Sequence, residues 1–429
     1  MPVPAELPDL FDAVVLADSP HAGARVLGLS LAERGRRVAA RAGARRVRVV
    51  DGPDAAGALP AWHAEGGAPA LLILSAGDQV VHPPLVEPLL AGARDDEARR
   101  IAVGPDGAYA GAIWLSAGAA GEAVAALAGG TSDAALAARW ADAARIAHGE
   151  IARHPATTPD ERRGAARMLL RILVKAEDSP VSKYLYRPIS RPITRLLVGT
   201  PVTPNQVSYA VAVIGLLGCW FTARPGQQNL VIGAALVLVA GFIDGCDGEL
   251  SRLRLTSSKL GAWIDTIVDE LTTTVYFVAI GYHAHLHHPD LPWLAPSIAI
   301  GLGCYLVCVY VIYYFLIVVS KTGNSQHYVG DLEIVEREAG VGLRARRRAS
   351  AAPAWLQKLG GVLILLVRRD FVNVAALAAA FVDAYFAMYL TMLSGGVITT
   401  VIIIPEHIKL RRQLRELQRR GAAPRLLAS

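Results

Sequence analysis

Four aspartates sit at fixed intervals in the stretch DGCDGELSRLRLTSSKLGAWIDTIVD, which begins at Asp244 and ends at Asp269. Asp244 and Asp247 are three positions apart, Asp265 and Asp269 four. On a helix each pair shares one face, about one turn apart. Two helices joined by the intervening loop can therefore aim all four carboxylates at one small volume. Like charges that close repel, unless some protonate or a hard cation binds between them. A donor set made of oxygen alone suits Mg²⁺ or Mn²⁺ rather than Zn²⁺. The stretch lies at the seam of two apolar runs, where acidic side chains are costly and mark function by default. The bland alternative is a helix cap at Asp244 with solvated charges on a polar helix face.

Gly248, Arg252 and Gly261 extend the pattern to D-x2-D-G-x3-R-x8-G-x3-D-x3-D. In this form it resembles the CDP-alcohol phosphotransferase family, whose motif differs only in having Ala where this chain has Ser251. Thr203-Pro204-Asn205, just before the first long apolar run, is a second shared feature. The resemblance implies two divalent ions, Mg²⁺ or Mn²⁺, held by Asp244, Asp247 and Asp265. It makes Asp269 the general base and a further metal ligand. Asn205, Gly248, Arg252 and Gly261 are then the nucleotide-binding residues. Glycine lets backbone approach a nucleotide where a Cβ would block it, and the Arg252 fork suits a donor phosphate. For the two glycines, close packing of small residues between helices is the competing explanation.

The reaction so implied is attack of an acceptor hydroxyl on the β-phosphorus of a CDP-alcohol, with release of CMP. The stretch SKYLYRPISRP followed by TPNQVS, together with a soluble N-terminal domain, resembles enzymes that make CDP-inositol and join it to a second inositol phosphate. An inositol-phosphate or other polar alcohol acceptor would call for extra cations, and Arg254, Lys259, Lys321, Arg368 and Arg369 are the acceptor-binding candidates. The runner-up is a phospholipid synthase using CDP-diacylglycerol. An ion-coupled membrane transporter is the alternative of another class. Transporters place such carboxylates near the bilayer midplane in discontinuous helices, often within internal repeats. Here no repeat stands out, and the Asp pairs fall at the end of one apolar run and the start of the next. The family also implies a homodimer.

The positioning elements follow from composition. The 429 residues divide into an Ala/Arg/Gly-rich first part and a second part of long apolar runs, and the mean hydropathy is +0.36. The expected fold is an α-helical integral membrane protein of six transmembrane helices with an N-terminal soluble α/β domain. The spans are expected near 206–223, 229–246, 261–282, 295–319, 371–392 and 394–409, each long enough or nearly so to cross a bilayer. Arg252, Arg254, Lys259, Lys321, Arg344, Arg346, Arg347, Arg348, Lys358, Arg368 and Arg369 all fall on one side of this topology, and Arg224 alone on the other. That asymmetry sets the aspartates and the N-terminal domain on the cytoplasmic side of the inner or plasma membrane. The net charge of +6 sits in these loops, so it signals no nucleic-acid partner.

The expected domains are 1–150 soluble, 151–204 connector, 205–413 membrane and 414–429 a basic tail. In the connector, Lys183, Arg187, Arg191 and Arg195 oppose Tyr184, Leu185, Ile189, Ile193, Leu196 and Leu197. Such a helix suits an anionic lipid bilayer surface, or is a plain amphipathic linker. Strands are expected at 12–17, 46–51 and 70–75, and polar helix over 132–177. The order of elements resembles a sugar nucleotidyltransferase, with Gly77-Asp78 where that family holds a metal. The loop from Asp18 to Arg25 departs from it. Pro20 removes a donor and Gly23 is the loop's single glycine, so a nest of N–H groups for phosphate is missing and inactivity is expected. Cys219, Cys246, Cys304 and Cys308 form no C-x2-C pair, so neither a zinc site nor a disulfide framework is expected, and Cys304 and Cys308, on one helix face, are expected to pack. His283, His285, His287 and His288 are expected in a solvated loop. The first residues lack a basic-then-apolar order, so no cleaved signal is expected.

Overall fold

The computed structural model describes residues 11–91, 99–173, 178–323, 327–337, 340–345, 368–422 and 426. Arg346, Arg347, Arg348 and Lys358, counted above among the inner-side charges, lie outside the described residues. The chain divides into two compact units. One comprises Met1–Ala176, Arg195–Pro201 and Ser251–Thr256, and the other Glu177–Thr194, Val202–Leu250 and Ser257–Ser429.

The first unit is built on a six-stranded sheet in the spatial order Val47–Val50, Phe11–Leu16, Ala70–Ser75, Tyr109–Leu115, Arg99–Val103, Ala144–Ala147. The three expected strands are present and mutually parallel. Ala13, Val14, Val15 and Leu71 through Leu74 have no exposed surface, as expected of parallel strands covered on both faces. Ser30 caps the helix Leu31–Arg41, accepting from the Glu33 N–H at 3.2 Å, and that helix buries Leu31, Val38 and Ala39. The stretch 132–177 is not helical throughout. Helices Asp133–Arg139 and Pro159–Leu170 flank the strands Ala144–Ala147 and Arg153–Pro155. The first of these strands pairs in parallel with Arg99–Val103, so an open sheet edge overrides local helical preference.

The second unit is mainly helical, with one antiparallel strand pair, Leu332–Arg337 with Gly340–Ala345. Helices Pro204–Thr222, Gln227–Arg254, Leu294–Ser320 and Tyr385–Arg419 are long and apolar enough to cross a membrane. The expected span 261–282 lies in the 29-residue helix Lys259–His287, whose Asp265, Asp269 and Glu270 keep it below that standard of apolarity. The expected spans 371–392 and 394–409 are replaced by helices Arg369–Phe381 and Tyr385–Arg419. The break falls at residues 382–384, where Asp383 adopts φ +55°, a conformation Asp tolerates better than most residues. At the expected turn near 393 the chain stays helical, and Gly396 lets it approach the ring of Tyr305. Thirteen residues of helix reach only about 20 Å, short of the roughly 30 Å hydrocarbon layer.

His283, His285 and His287 lie not in a loop but in the last turns of helix Lys259–His287, and His288 follows it as the cap. His283 is buried, its Nδ1 donates to the Arg224 carbonyl at 2.8 Å, and its ring stacks on His287. The four cysteines are unpaired, and Cys219, Cys246 and Cys308 are buried.

Candidate active site

Thr203 starts the first long helix with a capping box: its hydroxyl accepts from the Gln206 N–H at 3.3 Å, and the Gln206 side chain accepts from the Thr203 N–H at 2.9 Å. Pro204, which has no N–H to leave unpaired, occupies the first turn. This fixes where Asn205 and Ser208 emerge. Ser258 caps the helix Lys259–His287 through the Gly261 N–H at 2.9 Å. A Cβ on Gly261 would lie 3.2 Å from Ser258 Oγ and 3.3 Å from Asn205 Oδ1. Two expected nucleotide-binding residues, Asn205 and Gly261, are therefore neighbours.

Helix Gln227–Arg254 carries Asp244 and Asp247, and helix Lys259–His287 carries Asp265 and Asp269. One carboxylate oxygen from each of Asp244, Asp265 and Asp269 lies within 4.8 Å of the others, and all three residues are half-buried. Among the described residues this is the one such cluster of three or more acidic, His or Cys side chains. Asp247 is buried, and its carboxylate accepts from the Ser208 hydroxyl and the Gly248 N–H. Arg369, the first residue of its helix, ion-pairs with Asp269 and brings Nη1 to 3.9 Å from Asp244. The donor set fits a hard divalent cation, since it offers convergent carboxylate oxygens without sulfur or imidazole. Arg369 brings one positive charge to three carboxylates.

Residues 201–403 match the CDP-alcohol phosphatidyltransferase family. They form a CDP-alcohol phosphatidyltransferase domain. A bifunctional IPC transferase and DIPP synthase of Thermococcus kodakarensis is 34% identical over 35% of this chain and 33% of its own. A CDP-diacylglycerol–inositol 3-phosphatidyltransferase of Drosophila melanogaster is 28% identical over 30% of this chain and 51% of its own. Alignment with the bifunctional relatives thus spans about a third of their length or less. Among solved structures, the phosphatidylinositol phosphate synthase of Mycobacterium tuberculosis with CDP-DAG bound aligns at a TM-score of 0.33. It is 18% identical, over 51% of this chain and 94% of that one.

The cations expected to serve the transferase domain separate into distinct environments. Arg369 is at the aspartates. Arg368 lies 3.7 Å from Asp370. Lys259 is exposed at the first position of its helix. Lys321 is exposed in the left-handed region at φ +51°. Two residues later the Gly323 carbonyl accepts from Thr266 Oγ1 at 2.6 Å, tying the Lys321 loop to the turn that holds Asp265. Arg252 and Arg254 belong to the segment Ser251–Thr256 of the first unit. There Arg254 donates to the carbonyls of Leu197 at 2.8 Å and Val198 at 3.1 Å, a brace on main chain. Ser208 was not singled out by the motif, although it stands one turn from Asn205 on the same face.

In the first unit, Asp78 accepts from the Ser19 hydroxyl. Asp12, fully buried at the base of the sheet, is paired with Arg46 at 2.5 Å and Arg45 at 3.3 Å.

Proposed function

We propose that this chain is a membrane transferase that moves an alcohol-phosphate group from a CDP-alcohol to an acceptor hydroxyl with release of CMP. The observation that carries this reading is the convergence of Asp244, Asp265 and Asp269 oxygens within 4.8 Å inside a CDP-alcohol phosphatidyltransferase domain. Asp244, Asp265 and Asp269 would hold two divalent ions, Mg²⁺ or Mn²⁺, with Asp247 completing the set. Bound there, such ions supply charge neutralisation on the diphosphate and on the leaving CMP. Asn205 and Gly261 form the approach for the nucleotide, with Gly248 and Arg252 as further contacts. The acceptor oxygen forms its bond to the β-phosphorus as the bond from that phosphorus to the CMP oxygen breaks. Asp269 takes the proton of the acceptor hydroxyl, the work of a positioned carboxylate base.

The acceptor is proposed to be an inositol phosphate or a similar polar alcohol, with Arg369 and Arg368 nearest the reacting end, and Lys259 and Lys321 at the rim. The names of the bifunctional relatives support this choice. The fly relative, named for CDP-diacylglycerol and inositol, supports the runner-up, a lipid donor. The site is proposed to face the cytoplasm, on the basic side of the chain, with the connector on anionic lipid and the transferase domain paired as a homodimer. Residues 1–150 are proposed to be a nucleotidyltransferase-like domain without activity.

Full-length protein in membranes, given labelled CDP-inositol or CDP-diacylglycerol with inositol phosphate, tests the reading. The expected result is CMP release from CDP-inositol that depends on added Mg²⁺ or Mn²⁺. Release from the lipid donor alone would select the runner-up. Solute flux across vesicles without any CMP would mark a transporter and end the transferase reading.

A further inference from the structure

Glu249 follows directly on Asp247-Gly248 and has no exposed surface. Its Oε1 accepts from Arg187 Nη1 at 2.7 Å and from Ser190 Oγ at 2.8 Å, and its Oε2 accepts from Thr194 Oγ1 at 2.6 Å. Arg187, itself buried, sets Nε and Nη2 on the two oxygens of Asp178 at 2.9 and 2.8 Å. Cys246 Sγ donates to the Ser190 carbonyl at 3.5 Å. A Cβ on Gly245 would meet Arg187 Nη1 at 3.4 Å. Gly245, Cys246 and Glu249 thus all face the connector. At about 100° per residue, their directions centre roughly opposite those of Asp244 and Asp247 on the same helix.

The connector also reaches the other side of the cluster. Ser179 Oγ bonds the Asp370 carboxylate, and the Tyr186 hydroxyl donates to the Asp370 carbonyl at 3.1 Å. Asp370 is the neighbour of Arg369, which pairs with Asp269. Residues 178–194 therefore grip the back of the aspartate helix and the start of the helix that carries Arg369.

A buried ion pair contributes little to stability over an apolar pair of the same shape, and its attested use is to fix geometry. We infer that Glu249 is a positioning residue of the transfer reaction. With Arg187, Ser190 and Thr194 it forms a clamp that sets the rotation of helix Gln227–Arg254, so that Asp244 and Asp247 face Asp265 and Asp269. The inference rests on the transferase reading of those aspartates. A small rotation of this helix would spread the carboxylate oxygens, so the clamp acts on cation affinity before it acts on chemistry. Groups that orient metal ligands in this way commonly change affinity or activity by about 10–100-fold when removed.

The test uses the full chain in detergent micelles, with Mn²⁺ titrated and free ion counted by electron paramagnetic resonance, alongside thermal unfolding and CMP release. Glu249→Gln and Glu249→Ala are expected to weaken Mn²⁺ binding at least tenfold, with Glu249→Asp recovering part of the loss. The control Phe277→Ala, in the apolar core about two turns beyond Asp269, is expected to lower the unfolding temperature and leave Mn²⁺ affinity alone. Wild-type Mn²⁺ affinity in both Gln and Ala variants, whatever their unfolding temperature, overturns the clamp and leaves the transferase reading standing. Failure of the wild-type chain to bind Mn²⁺ overturns that reading and the clamp with it.

Discussion

Two aspartate sites in this chain look alike in one dimension and differ in three. Asp78 follows a buried strand and a glycine, as a metal-binding aspartate would, yet its described partner is the hydroxyl of Ser19. Asp244, Asp265 and Asp269 come from two helices, meet within 4.8 Å, and have Arg369 from a third helix beside them. A cation needs several oxygens at once, so convergence of separate elements makes a site where a single well-placed carboxylate does not. The largest expected effect tests the convergent site. Asp269→Asn should lower transfer by about 10²–10⁴-fold, the usual contribution of a positioned acid or base, with CDP binding retained. Radiolabelled CMP release and equilibrium binding of CDP, measured on the same preparation, check both halves. Loss of CDP binding in parallel with transfer would reduce Asp269 to a ligand and remove the base.

The same contrast shows what the sequence made legible. Asp spacing and the Thr-Pro-Asn start survive into the fold because they are local: helical periodicity sets the first and a capping box the second. Glu249 and Ser208 carry no such signal, and Arg187, expected on the basic side of the connector, is instead buried between Asp178 and Glu249. A buried Glu reads as a surface residue until its three donors, all 55 or more residues away, are in place. The break at 382–384 was hidden for a related reason, since apolar residues run on either side of Asp383, and the helix through 393 is held where Gly396 packs on Tyr305. Arg254, read as an acceptor contact, sits within its own helix pattern like any basic end residue, and its carbonyl partners are visible only once the chain folds.

Ser208 gives the next effect in size. Its hydroxyl is bonded to a buried carboxylate oxygen of Asp247, and an orphaned buried acceptor costs about 1–3 kcal/mol. Ser208→Ala is expected to weaken Mn²⁺ binding by roughly tenfold, with Ser208→Thr closer to wild type. An unchanged Mn²⁺ titration in the alanine variant would remove Asp247 from the cation set and leave the three convergent aspartates alone.

On the other side of the comparison, the first unit has its own titrating group. Burial pushes His82 down from 6.5 to about 3, with Arg34 and Arg41 adding to the effect. In the folded unit the imidazole is then neutral at pH values where the unfolded chain already binds a proton. Stability is complete above pH 6.5 and falls as the pH drops toward 3, by up to about 1.4 kcal/mol for each pH unit. Unfolding followed by tryptophan fluorescence at pH 6 and pH 5 should show that slope, and His82→Phe should flatten it. Equal slopes in the two proteins would place the acid sensitivity elsewhere.

The smallest expected effect is none at all, and it bears most directly on the contrast between the two sites. Asp78→Ala in the full chain should leave CMP release unchanged, and CTP with Mg²⁺ should not raise the unfolding temperature of either protein. The physical reason is local. Pro20 removes a backbone donor from the loop opposite Asp78, and Ser19 takes one of its oxygens. A nucleotide placed there would meet a loop with a single glycine and a carboxylate already shared with Ser19. A stabilisation by CTP in the wild type that Asp78→Ala abolishes would show that one carboxylate with a serine beside it suffices, and the distinction drawn between convergent and solitary aspartates would fail in this protein.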